Sequence, residues 1–282
     1  ADLSNAEISY TSSDDQVATV DDSGKITADA ITGTGYIHNA GDTIDADVIE
    51  ITKDIANSAT STIITNEITA DSLQNSGTIK ASSDAVDNVL GELNVRAFTN
   101  SGTLTVTNAN VSESINNSGT LTIDKIGSAE SGVSVNNQKN SNLTVSGDTY
   151  ATNFTNAGTT KLNKITVNEV YNSGTFEADD FNAITKVSNT NGATMTVDKI
   201  GTNENSVRLD NSENSTITVS KDAYVNNLSN NGTMNVNGTV TGSGYFSRNE
   251  NASLTADKLV VTADGWNEIN GAVDVNNMDV NG

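Results

Sequence analysis

Carboxylates are the side chains in this 282-residue sequence that could do chemistry. The stretch FEADDF, which begins at Phe176, predicts Glu177 and Asp179 on one face of a strand and Asp180 on the opposite face. A second acidic stretch, DTIDADVIE, supplies four more carboxylates: Asp42, Asp45, Asp47 and Glu50. A glycosidase needs two carboxyl groups at a defined separation, one of them with a raised pKa. A glycan-active enzyme that uses such Asp and Glu clusters is therefore one hypothesis.

The rest of the composition does not favour an enzyme. A sugar-stacking groove usually carries aromatic side chains, but Trp266 is the single tryptophan and tyrosines are few. A lyase would also want a basic residue, and the arginines are limited to Arg96, Arg208 and Arg248. Solvated acidic faces that keep the protein soluble are the simpler interpretation of the carboxylates. We expect no catalytic residues.

Metal and cofactor sites have little support in the sequence. His38 is the only histidine and there is no cysteine, so histidine clusters, thiolate sites and disulfides are excluded. Neither the EF-hand loop nor the nonapeptide calcium repeat occurs. Adventitious Ca²⁺ at a group of N-terminal aspartates is conceivable, and these are Asp14, Asp15, Asp21 and Asp22. No cofactor is expected.

Charge and hydropathy restrict the partners. The chain has 36 acidic and 14 basic residues and a net charge of −22, which repels nucleic acid and anionic membranes. No apolar run approaches the length of about 18 residues that a membrane span needs. No signal segment precedes Ala1, so the sequence is expected to be a mature chain or a fragment. Secreted bacterial proteins often lack cysteine, which fits an extracellular location.

The loop in INNSGTLTIDKIG, residues 115–127, has two interpretations: a phosphate-binding loop or a corner between strands. A P-loop needs Lys and Ser or Thr after the glycines and then a helix. Here a strand pattern follows, and the phrase recurs six times, so a structural corner is favoured. The predicted corner residues of the six copies are Asn75, Gly77, Asn100, Gly102, Asn117, Gly119, Asn156, Gly158, Asn172, Gly174, Asn230 and Gly232.

The residue after each turn defines a repeat. These marker residues lie 16 to 25 positions apart with a mean of 19, and they are Ile26, Ile44, Ile63, Ile79, Leu104, Leu121, Leu143, Thr160, Phe176, Met195, Ile217, Met234, Leu254 and Val273. The sequence also contains a longer repeat. Residues 117–163 align with residues 191–237 without gaps, with 22 of 47 positions identical. This offset of 74 residues indicates that four short units were duplicated as one block.

Each short unit predicts about three strands and three corners. LTI, LTV, MTV and ITV alternate apolar residues with Thr, as half-buried strands do, and DKI, NKI or DKL gives a second strand signal. A unit this short cannot bury its own apolar face, so it must stack on its neighbours. The sequence therefore predicts an all-β parallel β-helix, or β-solenoid, of about 14 turns of about 19 residues. At about 4.8 Å for each turn, the expected length is about 65 Å.

The stacked turns predict a specific core and specific corners. Apolar residues should point inward and the Thr between them outward; the inward set is Leu104, Val106, Leu121, Ile123, Leu143, Val145, Leu162, Phe176, Met195, Val197, Ile217, Val219, Met234, Val236 and Leu254. Corner Asn side chains can hydrogen-bond in a ladder from turn to turn. Corner Asn tolerates the left-handed backbone, and the Gly two residues later permits a positive φ.

These NSGTL-x-[VI] units of irregular length resemble the passenger domains of bacterial autotransporters and related large adhesins. The resemblance covers about residue 31 to the C-terminus and implies a right-handed parallel β-helix displayed at the cell surface. It carries over no catalytic motif. The β-barrel that exports such a passenger is not part of the sequence.

Residues 8–28, ISYTSSDDQVATVDDSGKITA, resemble the strand-turn-strand signature of bacterial group 2 Ig-like domains. The available length is about a quarter of such a domain. We therefore divide the chain into residues 1–30, a β cap or a segment that exchanges with another subunit, and residues 31–282, the parallel β-helix.

The favoured function is a non-enzymatic, secreted or cell-surface structural protein whose copies assemble head to tail into an extracellular fibre, because a β-helix exposes unpaired strands at its ends. The expected partner is then the chain itself. One alternative is the stalk or passenger segment of an adhesin that binds cell-surface ligands through its flank. The glycan-active enzyme is the other alternative.

Overall fold

The computed structural model describes residues 18–20, 25–81, 88–262 and 267–281. These residues form 23 strands and contain no helix. In chain order the strands are β1 (Ala18–Val20), β2 (Ile26–Gly33), β3 (Ile37–Asn39), β4 (Thr43–Ile51), β5 (Asp54–Asn57), β6 (Thr62–Ile64), β7 (Glu67–Asn75), β8 (Thr78–Lys80), β9 (Val89–Asn100), β10 (Thr103–Asn117), β11 (Thr120–Ile123), β12 (Val133–Asn137), β13 (Asn142–Asn156), β14 (Thr159–Asn172), β15 (Thr175–Asn189), β16 (Thr194–Val197), β17 (Val207–Asn211), β18 (Thr216–Val219), β19 (Ala223–Asn230), β20 (Thr233–Ser247), β21 (Ser253–Val261), β22 (Glu268–Ile269) and β23 (Ala272–Val280).

The strands stack in parallel as successive coils, and the fold is a β-solenoid of about 14 turns. The predicted fold class is therefore confirmed. Contacts divide the chain into two compact units, Ala1–Val111 and Ser112–Gly282. One antiparallel pair lies at the start of the first unit, where β1 pairs with residues 26–28 of β2. β2 itself runs past residue 30 and belongs to the first coil.

The marker residues set the register between coils. In the first unit Ile26 pairs with Ile44, Ile44 with Ile63, and Ile63 with Ile79. In the second unit every marker from Leu121 to Val273 pairs with the next one along the chain. A one-residue slip would turn each strand's apolar set to solvent, so the burial of one face fixes this register.

The predicted core is confirmed, because all fifteen residues of the inward set are buried. Phenylalanines fill the middle of the second unit, where Phe176 contacts Phe154 and Phe181 edge to face at centroid distances of 5.5 and 5.9 Å. Burying one such side chain stabilises the fold by about 1.5–3 kcal/mol. Thr160 interrupts the apolar marker column, and its hydroxyl donates to Asn156 Oδ1 at 2.9 Å.

The DKI, NKI and DKL phrases, which predicted a second strand in each unit, adopt two kinds of local structure. Ile165 and Leu259 lie inside the long strands β14 and β21, so there the predicted short strands merge into one. Ile126 and Ile200, from the two DKIG phrases, make only isolated bridges to the next coil. All four side chains are fully buried, so the signal marks a core position whether or not a strand forms there.

Candidate functional site

The six predicted corner asparagines are buried at the ends of strands. Asn75, Asn100, Asn117, Asn156, Asn172 and Asn230 are the last residues of β7, β9, β10, β13, β14 and β19. At each position the two preceding residues follow strand alternation, so the amide points into the solenoid next to the core. A buried amide needs partners for its two donors and its acceptor oxygen.

The partners are equivalent amides on neighbouring coils. In the first unit Asn39 Nδ2 donates to Asn57 Oδ1 at 3.1 Å, Asn57 to Asn75 at 3.0 Å, and Asn75 to Asn100 at 3.2 Å. In the second unit the same bond, at 2.8 to 3.0 Å, joins each member of the column to the next; the column consists of Asn117, Asn137, Asn156, Asn172, Asn189, Asn211 and Asn230. We call these two columns the amide ladders.

A second bond joins most of these amides to a carbonyl group of the following coil. Asn156 Nδ2 also donates to the Thr175 carbonyl at 2.9 Å, and Asn211 Nδ2 to the Thr233 carbonyl at 3.0 Å. In each amide-to-amide bond the donor belongs to the N-terminal coil and the acceptor to the C-terminal coil, so the side-chain dipoles align along each ladder and reinforce one another. The amides thus join the corners of adjacent coils by direct hydrogen bonds.

Five ladder residues are absent from the predicted set: Asn39, Asn57, Asn137, Asn189 and Asn211. Their corners lack the Asn-x-Gly-Thr phrase. The corner after Asn39 is one residue longer than the short corners and the other four are two residues longer, so a search for the short phrase does not find them. The signal that identifies them is an apolar residue two positions earlier, as in IHN, IAN, VNN, VSN and LDN. The six corners of the shorter kind share that signal.

The prediction that the corner Asn and Gly residues adopt a left-handed or positive-φ backbone is wrong. Among the described residues, positive φ occurs at Asn140, Asn191 and Asn214, which lie in the longer corners, and at glycines other than the predicted ones. The corner glycines are instead needed for close approach. A Cβ on Gly158 would lie 2.5 Å from the Gln138 carbonyl oxygen of the preceding coil, and one on Gly102 would lie 2.9 Å from that of Gly77.

The acidic stretch on β15 is only partly as predicted. Glu177 and Asp179 are exposed on one face, with Ala178 buried between them. Asp180 is not on the opposite, inward face, because its side chain is 47% exposed. A corner interrupts the strand here: the register to β14 passes from Ala178 directly to Asp180, so the alternation starts again after the corner.

Asp180 belongs to a cluster of charges that crosses several coils. Lys199 Nζ lies 2.6 Å from Asp180 Oδ1 and 3.4 Å from Asp198 Oδ2, while Lys221 Nζ lies 3.0 Å from Asp198 Oδ2. Lys164 lies 3.9 Å from Asp180. The Asp198 side chain is 8% exposed, and its Oδ1 accepts the Phe181 backbone N–H at 2.8 Å.

These partners keep the buried carboxylate charged. Burial alone would raise the pKa of Asp198, but the Phe181 N–H and the ammonium groups of Lys221 and Lys199 outweigh it and hold that pKa below its usual value. Burial would likewise lower the pKa of Lys199, and its bond to Asp180 with the charge of Asp198 raises it instead. A general acid needs a raised carboxyl pKa, so Asp198 is suited to structure and not to proton donation.

The other candidates are scattered. In DTIDADVIE, Asp45 pairs with Lys25 at 2.9 Å, and Asp42, Asp47 and Glu50 are exposed. His38 is exposed on β3. The predicted calcium residues Asp14, Asp15, Asp21 and Asp22, and also Trp266, lie outside the described residues. In the part of the chain that the structure describes, no group of three or more His, Asp or Glu side chains could hold a metal ion.

The last strand offers a different kind of site. β23 pairs along its length with β21, and within residues 25–81, 88–262 and 267–281 no strand pairs with its other edge. Apolar side chains are exposed there, with Met278 at 46% and Val280 at 67%. An exposed edge of this kind can accept another strand.

Comparisons of the chain with protein-family models, with curated proteins and with solved structures find no match. Among the described residues there is no helix long and apolar enough to cross a membrane.

Proposed function

We propose that this chain is a non-enzymatic structural protein of the cell surface or extracellular space, and that its copies assemble head to tail into a fibre. The observation that carries the proposal is the free edge of β23 with its exposed Met278 and Val280. Pairing that edge with a second copy would satisfy its backbone groups and bury its apolar side chains. Such a contact does not close on itself, so it propagates.

The first coil has an edge that matches. β2 pairs with β4 over residues 26–28 and 30–33, separated by a corner, and β23 pairs with β21 over residues 272–275 and 277–280 in the same way. The two strands differ by one residue in length, with eight residues in β2 and nine in β23, and the corner lies at the same distance from Ile26 as from Val273. In the fibre the marker column would continue from Val273 of one copy to Ile26 of the next.

β1 occupies part of the β2 edge that this contact would use. It covers residues 26–28 of β2 in antiparallel register, and it must leave before another copy's β23 can pair there. The proposal therefore makes the N-terminal segment an exchange segment, with assembly controlled by its release. The composition agrees with an extracellular protein, because the chain lacks cysteine and its net charge of −22 disfavours binding to nucleic acid.

A reversible lock tests the exchange. Ala18 lies directly opposite Ala28, and opposed antiparallel residues are close enough for a disulfide. The chain has no other cysteine, so the Ala18→Cys/Ala28→Cys variant can form only this intramolecular bridge. Electron microscopy should show fibres from the wild-type chain, single particles from the oxidised variant, and fibres again after reduction. Wild-type protein that stays as single particles at high concentration would refute the proposal.

The other end is tested by a charge at the free edge. Met278→Lys should suppress fibres, because edge lysines oppose strand pairing. Tyr171→Lys is the matched control, since Tyr171 is also exposed, at 38%, and lies on the flank of the same unit. Equal loss of fibres in both variants would indicate a general charge effect and would count against pairing at β23.

A further inference from the structure

Two surface grooves in the unit Ser112–Gly282 are built from equivalent residues. The first has a volume of about 150 Å³, and its lining includes Ser128, Tyr150, Thr152, Thr166, Asn168 and Ile184. The second has a volume of about 260 Å³, and its corresponding residues are Thr202, Tyr224, Asn226, Thr241, Ser243 and Thr262. We call them the first and second grooves.

The correspondence follows from both the sequence and the strand register. Ser128, Tyr150 and Thr152 lie 74 residues before Thr202, Tyr224 and Asn226, which is the offset of the long repeat. Tyr150 pairs with Thr166 on the next coil, and Tyr224 pairs with Thr241. The same groove therefore occurs twice in one unit, four coils apart.

Each groove is walled by a short loop that leaves the coil. In the first, Ser128 and Ser131 exchange backbone hydrogen bonds of 3.0 and 3.1 Å; in the second, Thr202 and Asn205 do so at 2.8 and 3.1 Å. The preceding glycines, Gly127 and Gly201, have φ of 66° and 63°.

The loop is fixed against the tyrosine strand. Tyr150 N donates to the Ile126 carbonyl at 2.8 Å, and Tyr224 N to that of Ile200 at 2.7 Å. A Cβ on either glycine would lie 2.5 Å from the carbonyl oxygen of the groove tyrosine. The loop can therefore sit this close only with glycine at that position, and each wall is formed before any ligand arrives.

The groove linings indicate a neutral, polyhydroxylated ligand. Neither set of lining residues contains a charged side chain, although the chain carries a net charge of −22. Each groove combines one half-buried tyrosine, which has an apolar ring and a polar tip, with Ser, Thr and Asn side chains. The hydroxyls of Thr166 and Thr241 have no hydrogen-bond partner among the described residues, so they are available to a ligand.

The size of the grooves indicates a polymer. Pockets for complete drug-sized ligands measure about 300–1,000 Å³, so each groove accommodates part of a longer chain. Four coils at about 4.8 Å place the two grooves about 19 Å apart on the same unit. One extended polymer can reach both, and linking two weak contacts in this way raises the overall affinity.

We propose that the two grooves form a bivalent binding site for a neutral glycan, with Tyr150 and Tyr224 as the central contact of each. This binding does not depend on fibre formation. In a fibre it would repeat once for every copy and give a surface with many glycan contacts.

The first test is calorimetric titration with neutral linear hexasaccharides of glucose, mannose, galactose and N-acetylglucosamine, and with an acidic hexasaccharide of galacturonate. At least one neutral probe should bind in a ratio of two hexasaccharides to one chain. Tyr150→Ala and Tyr224→Ala should each reduce the ratio to one, and the double variant should not bind. Tyr171→Ala, at an exposed tyrosine outside both grooves, should bind like the wild type.

The second test uses the polysaccharide of the same sugar. Because a polymer can span both grooves, each single tyrosine variant should bind it about tenfold or more weakly than the wild type does. If the double tyrosine variant unfolds, as judged by circular dichroism, Thr166→Val/Thr241→Val replaces it, since Val suits a strand and removes only the free hydroxyl. The proposal is overturned if no neutral hexasaccharide binds, if galacturonate binds equally well, or if neutral binding survives in whichever double variant is folded.

Discussion

Replacing Asn156 by alanine tests whether the amide ladder holds the coils of Ser112–Gly282 together. Its Oδ1 accepts bonds of 2.9 Å from both Asn137 and Thr160, and its Nδ2 donates to Asn172 at 2.8 Å and to the Thr175 carbonyl at 2.9 Å. Asn137 and Asn172 retain other partners, and the Thr160 oxygen still accepts from Asn137 Nδ2 at 3.1 Å. The lost bonds that matter most are therefore the one donated by the Thr160 O–H and the one accepted by the Thr175 carbonyl. At about 1–3 kcal/mol for each buried group left unsatisfied, we expect a destabilisation of about 2–5 kcal/mol.

Hydrogen exchange followed by mass spectrometry is the suitable assay, because repeat proteins need not unfold in a single step. Amides of β12, β13 and β14 should exchange faster in Asn156→Ala, with a smaller effect on distant coils. Asn153→Ala is the matched control, since Asn153 lies on the same strand and is exposed. An effect no larger than that of the control would refute the structural importance of the ladder.

Asn156→Asp separates the loss of donors from the loss of volume. The carboxylate keeps the shape and the acceptor oxygen, but it cannot donate to Asn172 Oδ1 and places a charge in a buried site. We expect it to be at least as destabilising as alanine at pH 7 and less so at acid pH, where the side chain is protonated. A pH-independent effect would show that the buried charge is not what destabilises the variant.

Two further perturbations follow from the contacts. Gly158→Ala should destabilise the second unit by about 1–3 kcal/mol in urea unfolding, because its Cβ would clash with backbone carbonyls of the preceding coil. Gly35 has open space around it, so Gly35→Ala is the control and should be nearly neutral. The pKa of Asp198 is lower in the folded state than in the unfolded state. Its charge therefore contributes its full stabilisation above the unfolded pKa of about 3.9 and none below the folded pKa. The stability advantage of the wild type over Asp198→Asn should therefore shrink as urea midpoints are measured from pH 6 down to pH 2; a constant difference would contradict the charge cluster.

The sequence predicted the fold and its register well because one period controls both. Each marker residue follows a turn, and the apolar alternation after it has a single arrangement that buries one face. The amino-acid pattern alone therefore places Leu121, Leu143 and Met195 against their neighbours on adjacent coils. Thr160 occupies a marker position although it is polar, and a partner on the amide ladder compensates for that.

What the sequence did not predict depends on contacts between coils. The role of Gly158 is set by carbonyl groups of the preceding coil, and these are about twenty residues away in the sequence. Asp180 was placed on the wrong face because strand alternation does not continue through a corner. The two grooves were missed because their walls combine a loop with side chains from three later coils.

The corners also show why coils are not independent modules. The short corners at Gly77, Gly158 and Gly232 each rest on a longer corner of the preceding coil, whose carbonyl groups occupy the space where a side chain would be. The longer corner in turn contributes a buried residue beside the ladder: Ser141, for example, donates to Asn137 Oδ1 at 2.7 Å. A corner of one kind therefore constrains the residue allowed in the next coil. Copying a block of coils together preserves the contacts between the corners inside it, as when the contact of Gly158 with the Gln138 corner recurs in the contact of Gly232 with the Ser212 corner. The 74-residue repeat is such a block, and each copy begins one groove.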